Sequence, residues 1–321
     1  MLKPVSSATN TTANAEIKGH LIVLFTILVW GMTYVATKVL LQDFRPLEIL
    51  LIRFVIGFTA LCLIYPRKLP FVGWQQEAYF AAAGLSGITL YFLLENIALL
   101  YTQVSNVGII IAVAPLLTAL LNMLFLNGKK PDIHFFSGFL LAMLGIALIS
   151  LKSNEELQIN PLGDFLALLA ALVWAIYSTL MKKISEFGYR TLQTTRRAFL
   201  YGLLFMLPLT CLMPFKLDFS LILKPQNLFN LLFLGFGASA ICFVSWNYAV
   251  KVLGTVKTSL YIYLAPVVTV ISAVWILDEQ LSYFSIAGIA LILLGLAISE
   301  KKAEKKADKK PKKKASDVKS T

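Results

Sequence analysis

The chain repeats itself, and both copies are apolar. Trp30, Lys38 and Arg53 recur at one constant spacing as Trp174, Lys182 and Arg197. Gly84, Asn96, Ala98 and Pro115 recur at a slightly longer one as Gly235, Asn247, Ala249 and Pro266. A tandem duplication restricts the fold to two like units packed together. Of the 321 residues, 58% are hydrophobic and 14% charged, where a soluble domain carries roughly 25% charged. So few charges cannot cover a water-facing surface. The expected class is therefore an all-α integral membrane protein, since an open sheet edge cannot face lipid.

A hydrocarbon core about 30 Å thick needs roughly 20 apolar helical residues. Ten segments qualify: 19–40, 47–65, 76–97, 103–126, 133–151, 162–183, 192–213, 227–249, 257–277 and 283–299. The connections carry turn chemistry, as in Tyr65-Pro66-Arg67-Lys68 and Asn160-Pro161-Leu162-Gly163. With the N-terminus inside, the cytoplasmic side collects Lys3, Lys18, Arg67, Lys68, Lys129, Lys130, Lys182, Lys183, Arg190, Lys251 and Lys257. Lys38, Arg45, Lys152, Lys216 and Lys224 fall on the other side, so the basic residues place both termini in the cytoplasm.

Ten spans then divide as five per copy, and an odd number turns the second copy upside down. The expected architecture is ten transmembrane helices as two inverted five-helix repeats, 19–151 and 162–299. Residues 1–18 and the Lys-rich tail 301–321 read as disordered cytoplasmic ends. The tail holds ten lysines against three acids, part of a net charge of +12; following a span directly, it reads as a topology anchor rather than a nucleic-acid binder. Cys62, Cys211 and Cys242 lie in apolar stretches without paired spacing, which points to neither a disulfide framework nor a metal site.

Gly138 and Gly145 match Gly288 and Gly295, and their seven-residue spacing makes a groove for close helix approach. Pro115 and Pro266 sit mid-span, where a kink either hinges a gate or shapes the bundle. Polar groups within the bilayer are costly enough to be functional candidates. Trp30, Tyr34 and Lys38 share one face of the first span, and Tyr91 and Glu95 one face of the third, with Asn96 beside the acid. Lys38 and Glu95 are expected to pair across a cavity mouth, as a gate or as ligands of a zwitterion, with Glu95 a candidate carrier of a coupling proton. The alternative is that both snorkel to the headgroups. Trp174, Tyr177, Trp246, Asn247, Tyr261 and Tyr263 are further cavity candidates, although aromatic side chains also serve as interface anchors. Arg53 and Arg197 read as members of a charge network with Glu48 and Glu279, with substrate contact the second option.

Several segments together resemble the EamA-type permeases of the drug/metabolite transporter superfamily. Trp30-Gly31-Met32-Thr33-Tyr34 looks like the opening of the family's first span, and Pro46-Leu47-Glu48 with Arg53-Phe54 like its second. Ala98-Leu99-Leu100-Tyr101-Thr102 leading to Ala114-Pro115-Leu116 is similar to its third-to-fourth-span signature, and Ala265-Pro266-Val267 with Asp278-Glu279-Gln280 repeats the fourth-span pattern. The family pattern has a Glu after the fourth and ninth spans; Glu279 matches the second, whereas the first falls near Gly128. The resemblance implies ten helices, alternating access and export or exchange of small metabolites, with amino acids and related compounds favoured. The expected location is a bacterial inner membrane, and the expected form a monomer working with lipid and a small solute.

An importer or nucleotide-sugar antiporter is the rival within transport, and a membrane receptor or intramembrane enzyme the rival outside it. No Gly-rich phosphate loop, Ser-His-Asp set or Cys/His metal spacing is present, so neither enzyme activity nor a cofactor is expected.

Overall fold

The computed structural model describes residues 6–102, 104–128, 130–150, 160–268, 271 and 283–305. Among them there is no strand. The first half contains α1 (Ser6–Leu40), α2 (Pro46–Ile64) and α3 (Trp74–Ala83), which continues through a π-helical stretch, Gly84–Leu90, into α4 (Tyr91–Tyr101). It is completed by α5 (Val104–Ile111), α6 (Ala114–Phe125) and α7 (Ile133–Ser150). The second half contains α8 (Pro161–Ser185), α9 (Thr191–Leu212), the short α10 (Phe219–Ile222) and α11 (Pro225–Leu232). A second π-helical stretch, Phe233–Ile241, leads into α12 (Cys242–Leu253), followed by α13 (Thr255–Leu260), a 3₁₀ turn Tyr261–Leu264, and α14 (Tyr283–Lys305). α1 thus begins inside the segment expected to be disordered, and α14 extends past 299.

Among the described residues, six helices are long and apolar enough to cross a membrane: Asn14–Leu40, Pro46–Ile64, Trp74–Tyr101, Val107–Phe125, Pro161–Ser185 and Pro225–Leu253. Ile133–Ile149 and Ile286–Ser299 are shorter apolar helices. α9 has the length of a span, but Thr191, Gln193, Thr194, Thr195, Arg196 and Arg197 make its first two turns polar. Most of the expected ninth span beyond Val268, and Glu279 after it, lie outside the described residues.

Local chemistry fixes where the helices begin and end. Pro46 opens α2, and Glu48 turns back to accept the Arg45 backbone N–H at 2.8 Å, a capping arrangement. α8 starts on Asn160, whose side chain accepts from the Gly163 N–H at 3.1 Å. Asp164 in its first turn and Lys182 and Lys183 in its last complement the helix dipole. Gly254, at φ +86°, ends α12 in a conformation that side chains with a Cβ rarely adopt.

Loop contacts sort the helix ends into two groups. At one end, Lys224 pairs with Asp43 at 3.1 Å, and the Lys216 N–H donates to Glu48 at 2.9 Å. Asn227, with Lys224, holds the Asp43 carboxyl below the usual carboxylate range. At the other end, Arg196 donates to the Tyr65 and Arg67 carbonyls and Tyr189 to Gln76. α2 therefore runs from the first end to the second, and α9 from the second to the first. The third helices of the two halves, containing the π-helical stretches, oppose each other in the same way.

The halves interlock. Each π-helical stretch packs on the second helix of the other half: Gly84–Leu90 on α9, Phe233–Ile241 on α2. At both crossings the chains nearly touch. A Cβ on Gly84 would stand 2.6 Å from the Ala198 carbonyl and the Gly202 nitrogen, and one on Gly57 would stand 3.1 Å from the Gly235 carbonyl. α7 and α14 cross antiparallel, with Gly145 against Gly288 and Gly138 against Gly295, and each packs more extensively on the other than on any other helix.

This seam predicts a contrast between two glycines. A Cβ on Gly145 would meet the Gly288 carbonyl at 2.5 Å, whereas one on Gly108 meets nothing within 4 Å. Gly145→Val is expected to destabilise the protein by about 1–3 kcal/mol through overpacking, and Gly108→Ala to leave it as stable or slightly more so. Thermal unfolding of both variants in detergent measures the difference.

Candidate functional site

Where α1, α2, α4 and α8 meet, aromatic rings from both halves collect. The Trp30 ring centre lies 5.3 Å from that of Trp174 and 5.2 Å from that of Trp246, with Phe243 at 5.8 Å. Trp174 also contacts Tyr91 at 4.8 Å and Tyr177 at 5.2 Å. Trp30 is fixed by donating its indole N–H to the Ala238 carbonyl at 2.9 Å. Gly87 leaves the room in which the Tyr177 ring sits. Such contacts between large flat rings add to burial and set the wall of any space left between them.

The space left is a cavity of about 60 Å³, enough for a few waters or one small polar group. Trp30, Thr33, Tyr34, Tyr91 and Trp174 line it, and Arg53 and Glu95 put opposite charges into it. Ile27, Phe92, Ile111, Ile262 and Ala265 supply apolar wall. Glu95 is 7% exposed and accepts from the Tyr91 hydroxyl at 2.9 Å, with Tyr34 lining the same space. Arg53 is 4% exposed, donates its Nε–H to the Ser239 hydroxyl at 2.6 Å, and lies over the Phe92 ring at 4.2 Å. Glu95 and Arg53 attract one another, yet among the described residues no ion pair within 4 Å joins them. The arrangement holds a carboxylate and a guanidinium on one small buried space.

The expected pairing of Lys38 with Glu95 does not form. Lys38 is exposed and does not line the cavity. Each i+4 step overshoots a helical turn by about 40°, so the stripe that starts at Trp30 and Tyr34 has drifted off the cavity by Lys38. Arg53 is the cation that faces Glu95. In the apolar run of α2 after Glu48 it is the sole charge, which is the sequence signal for it.

The remaining candidates disperse. Trp246 belongs to the aromatic cluster but is fully buried, and among the described residues neither its indole N–H nor that of Trp174 has a hydrogen-bond partner. Asn247 links the halves of a polar chain: it accepts from Tyr177 at 3.0 Å and donates to Thr195 at 2.9 Å. Asn96 is buried but does not line the cavity. Tyr261 meets His20 at 2.6 Å, and Tyr263 is buried in a separate cluster with Ala112, Phe135 and Ile292. Glu48 serves backbone N–H groups rather than Arg53. Arg197, the repeat counterpart of Arg53, pairs with Glu77 at 2.9 Å and donates to the Leu69 and Pro70 carbonyls, so it holds a loop. Pro115 does not kink a continuous helix: the chain breaks at Ala112 and Val113, and Pro115 sits in the first turn of α6. Pro266 likewise follows the 3₁₀ turn.

The sequence pattern of the EamA-like transporter family matches residues 17–151 and again 161–300. An uncharacterised transporter of Archaeoglobus fulgidus is 26% identical over 292 residues, covering 89% of this chain and 98% of its own length. A probable terminal-alkyne amino-acid exporter of Streptantibioticus cattleyicolor is 25% identical over 289 residues, covering 87% and 92%. A probable amino-acid metabolite efflux pump of Escherichia coli is 25% identical over 299 residues, covering 88% and 94%. One crystal structure superimposes with a TM-score of 0.71 at 21% identity, over 88% of this chain and 96% of that one, a likeness of fold. Matched twice along its length by one family pattern, and over nearly the whole of its transporter relatives, the chain belongs to the EamA-like transporter family and is a membrane transporter.

Proposed function

We propose that the protein is a secondary-active exporter of small metabolites, amino acids or close relatives, and that its substrate binds in the aromatic cavity between Arg53 and Glu95. The observation that carries this reading is the pair of opposite charges on one buried space without a direct ion pair. A free amino acid presents the complementary charges, ammonium toward Glu95 and carboxylate toward Arg53. The site is buried and walled by rings, so charge interactions there are stronger than in bulk water. The names of two relatives, an amino-acid exporter and an amino-acid metabolite efflux pump, support the same substrate class.

The mechanism we propose is alternating access by ten spans in two inverted five-helix repeats. The opposed courses of α2 and α9, and the antiparallel crossing of α7 and α14, support inversion. Glu95 is the candidate carrier of a coupling proton, because a buried carboxylate can lose its charge when its cation leaves. We place the protein in a bacterial inner membrane, acting as a monomer with both termini cytoplasmic.

Purified protein in liposomes tests the substrate reading by counterflow of labelled amino acids, with and without an imposed pH gradient. Glu95→Gln and Arg53→Met are each expected to lower flux by at least about 30-fold, as when one partner of a buried charge arrangement is removed. Lys38→Met should stay within about two-fold of the parent. Flux that survives in both cavity variants removes the site.

Orientation is tested separately with single cysteines placed in a cysteine-free background. Lys216→Cys should react with a membrane-impermeant maleimide in intact cells, and Lys68→Cys only after permeabilisation. The reverse pattern inverts the proposed topology, and reaction of both in intact cells breaks it.

A further inference from the structure

A second cavity lies at the opposite end of α2 from its capped start. Its volume is about 630 Å³, against about 60 Å³ for the central one, and the two share no lining residue. Lys68, Arg196 and Arg197 give its lining positive charge, and Phe58, Cys62 and Leu200 give it apolar surface. None of the described residues that line it is acidic.

Its shape is built into the fold. Arg196 donates to the Tyr65 and Arg67 carbonyls at 2.5 and 2.6 Å, Arg197 to those of Leu69 and Pro70, and Gln193 to that of Arg67 at 3.4 Å. Three side chains of α9 thus hold the loop that forms the cavity rim. The two bonds from Arg196 use two of the five N–H donors of a guanidinium. Lys68 is exposed. Glu77 offsets Arg197 alone. Arg190, over the Tyr65 ring at 5.4 Å, and Arg67 add positive charge beside the same rim.

The apolar surface continues outward. Leu63 and Ile64 end α2 at 77% and 64% exposed, and Phe71, which lines the cavity, meets Trp74 edge-on at 5.3 Å. Exposed aromatic rings beside cations where a span ends mark the boundary between headgroups and acyl chains. A free anion would use only the basic groups of such a cavity. A molecule with a phosphate at one end and hydrocarbon at the other uses both.

We infer that this cavity binds an anionic glycerophospholipid, with its phosphate between Lys68 and Arg196 and the first carbons of an acyl chain against Phe58, Cys62 and Leu200. Basic pockets between transmembrane helices recognise lipid headgroups in this way. The size is that of a ligand pocket rather than of a packing defect. The bound lipid would tie α2 to α9, the second helices of the two halves.

The test uses the full chain in detergent, titrated with phosphatidylglycerol, with phosphatidylcholine of the same acyl chains, or with glycerol 1-phosphate, and counts retained molecules by native mass spectrometry. Phosphatidylglycerol should be retained in preference to phosphatidylcholine, and glycerol 1-phosphate should not displace it at matched concentration. Lys68→Gln, a change at an exposed side chain, should weaken phosphatidylglycerol binding about five-fold, the worth of one basic residue at a lipid surface. Cys62→Trp, which fills space beside the apolar surface, should weaken both lipids. Equal retention of the two lipids, or an unchanged preference in Lys68→Gln together with unchanged binding in Cys62→Trp, overturns the inference. Displacement by glycerol 1-phosphate makes the cavity a phosphate site and overturns the lipid assignment.

Discussion

The constraint on which the central site depends is the approach of backbone to backbone where the second helix of each half meets the π-helical stretch of the other. Gly84 lies against Ala198 and Gly202, and Gly235 against Ile56 and the Arg53 carbonyl. At that range no side chain fits between the chains. The wider π-helical turns, frequent at functional sites, occur in both halves at the same repeat position. One crossing carries Ser239 to the Arg53 guanidinium. The other aligns the continuation of its helix so that Tyr91 and Glu95 face the same space. Without these crossings the opposite charges would not share a cavity.

Duplication explains the scaffold, and its breakdown explains the site. Arg53 and Arg197 occupy the same repeat position, yet one enters the central cavity and the other ties down a loop. Glu95 stands where the second half has Trp246. The acid thus faces a cluster of rings to which both halves contribute. Tyr177, Asn247 and Thr195 satisfy one another. A buried polar chain closed in this way rigidifies its surroundings.

Much of this was legible in the amino-acid sequence. Apolar runs, turn residues and the distribution of lysines and arginines mark the helices and separate the loops into two sets, and loops of each set meet in the structure, as Asp43 with Lys224 does. Trp30, Tyr34, Tyr91, Glu95 and Trp174 stand out as aromatic or charged groups in apolar helices, and all five line the cavity. Lys38 misleads because i+4 spacing holds a common face for one step and drifts on the second. Glu48 is a capping residue, which Arg45-Pro46-Leu47-Glu48 shows once the helix start is recognised. Ser239, Thr33 and Ile262 carry no local signal. They reach the site through contacts between distant segments, which no window of sequence contains.

The α7–α14 seam has a mechanical consequence. Two helices from different halves are joined there by glycine-to-backbone contacts and a small cluster around Ala142, Ile146 and Ile292. Packed interfaces of this kind switch between arrangements rather than stretch. A rotation of one half against the other would therefore keep this edge of the bundle shut. In the alternating access proposed above, this edge would act as a fulcrum, and the same rotation would be magnified with distance from it.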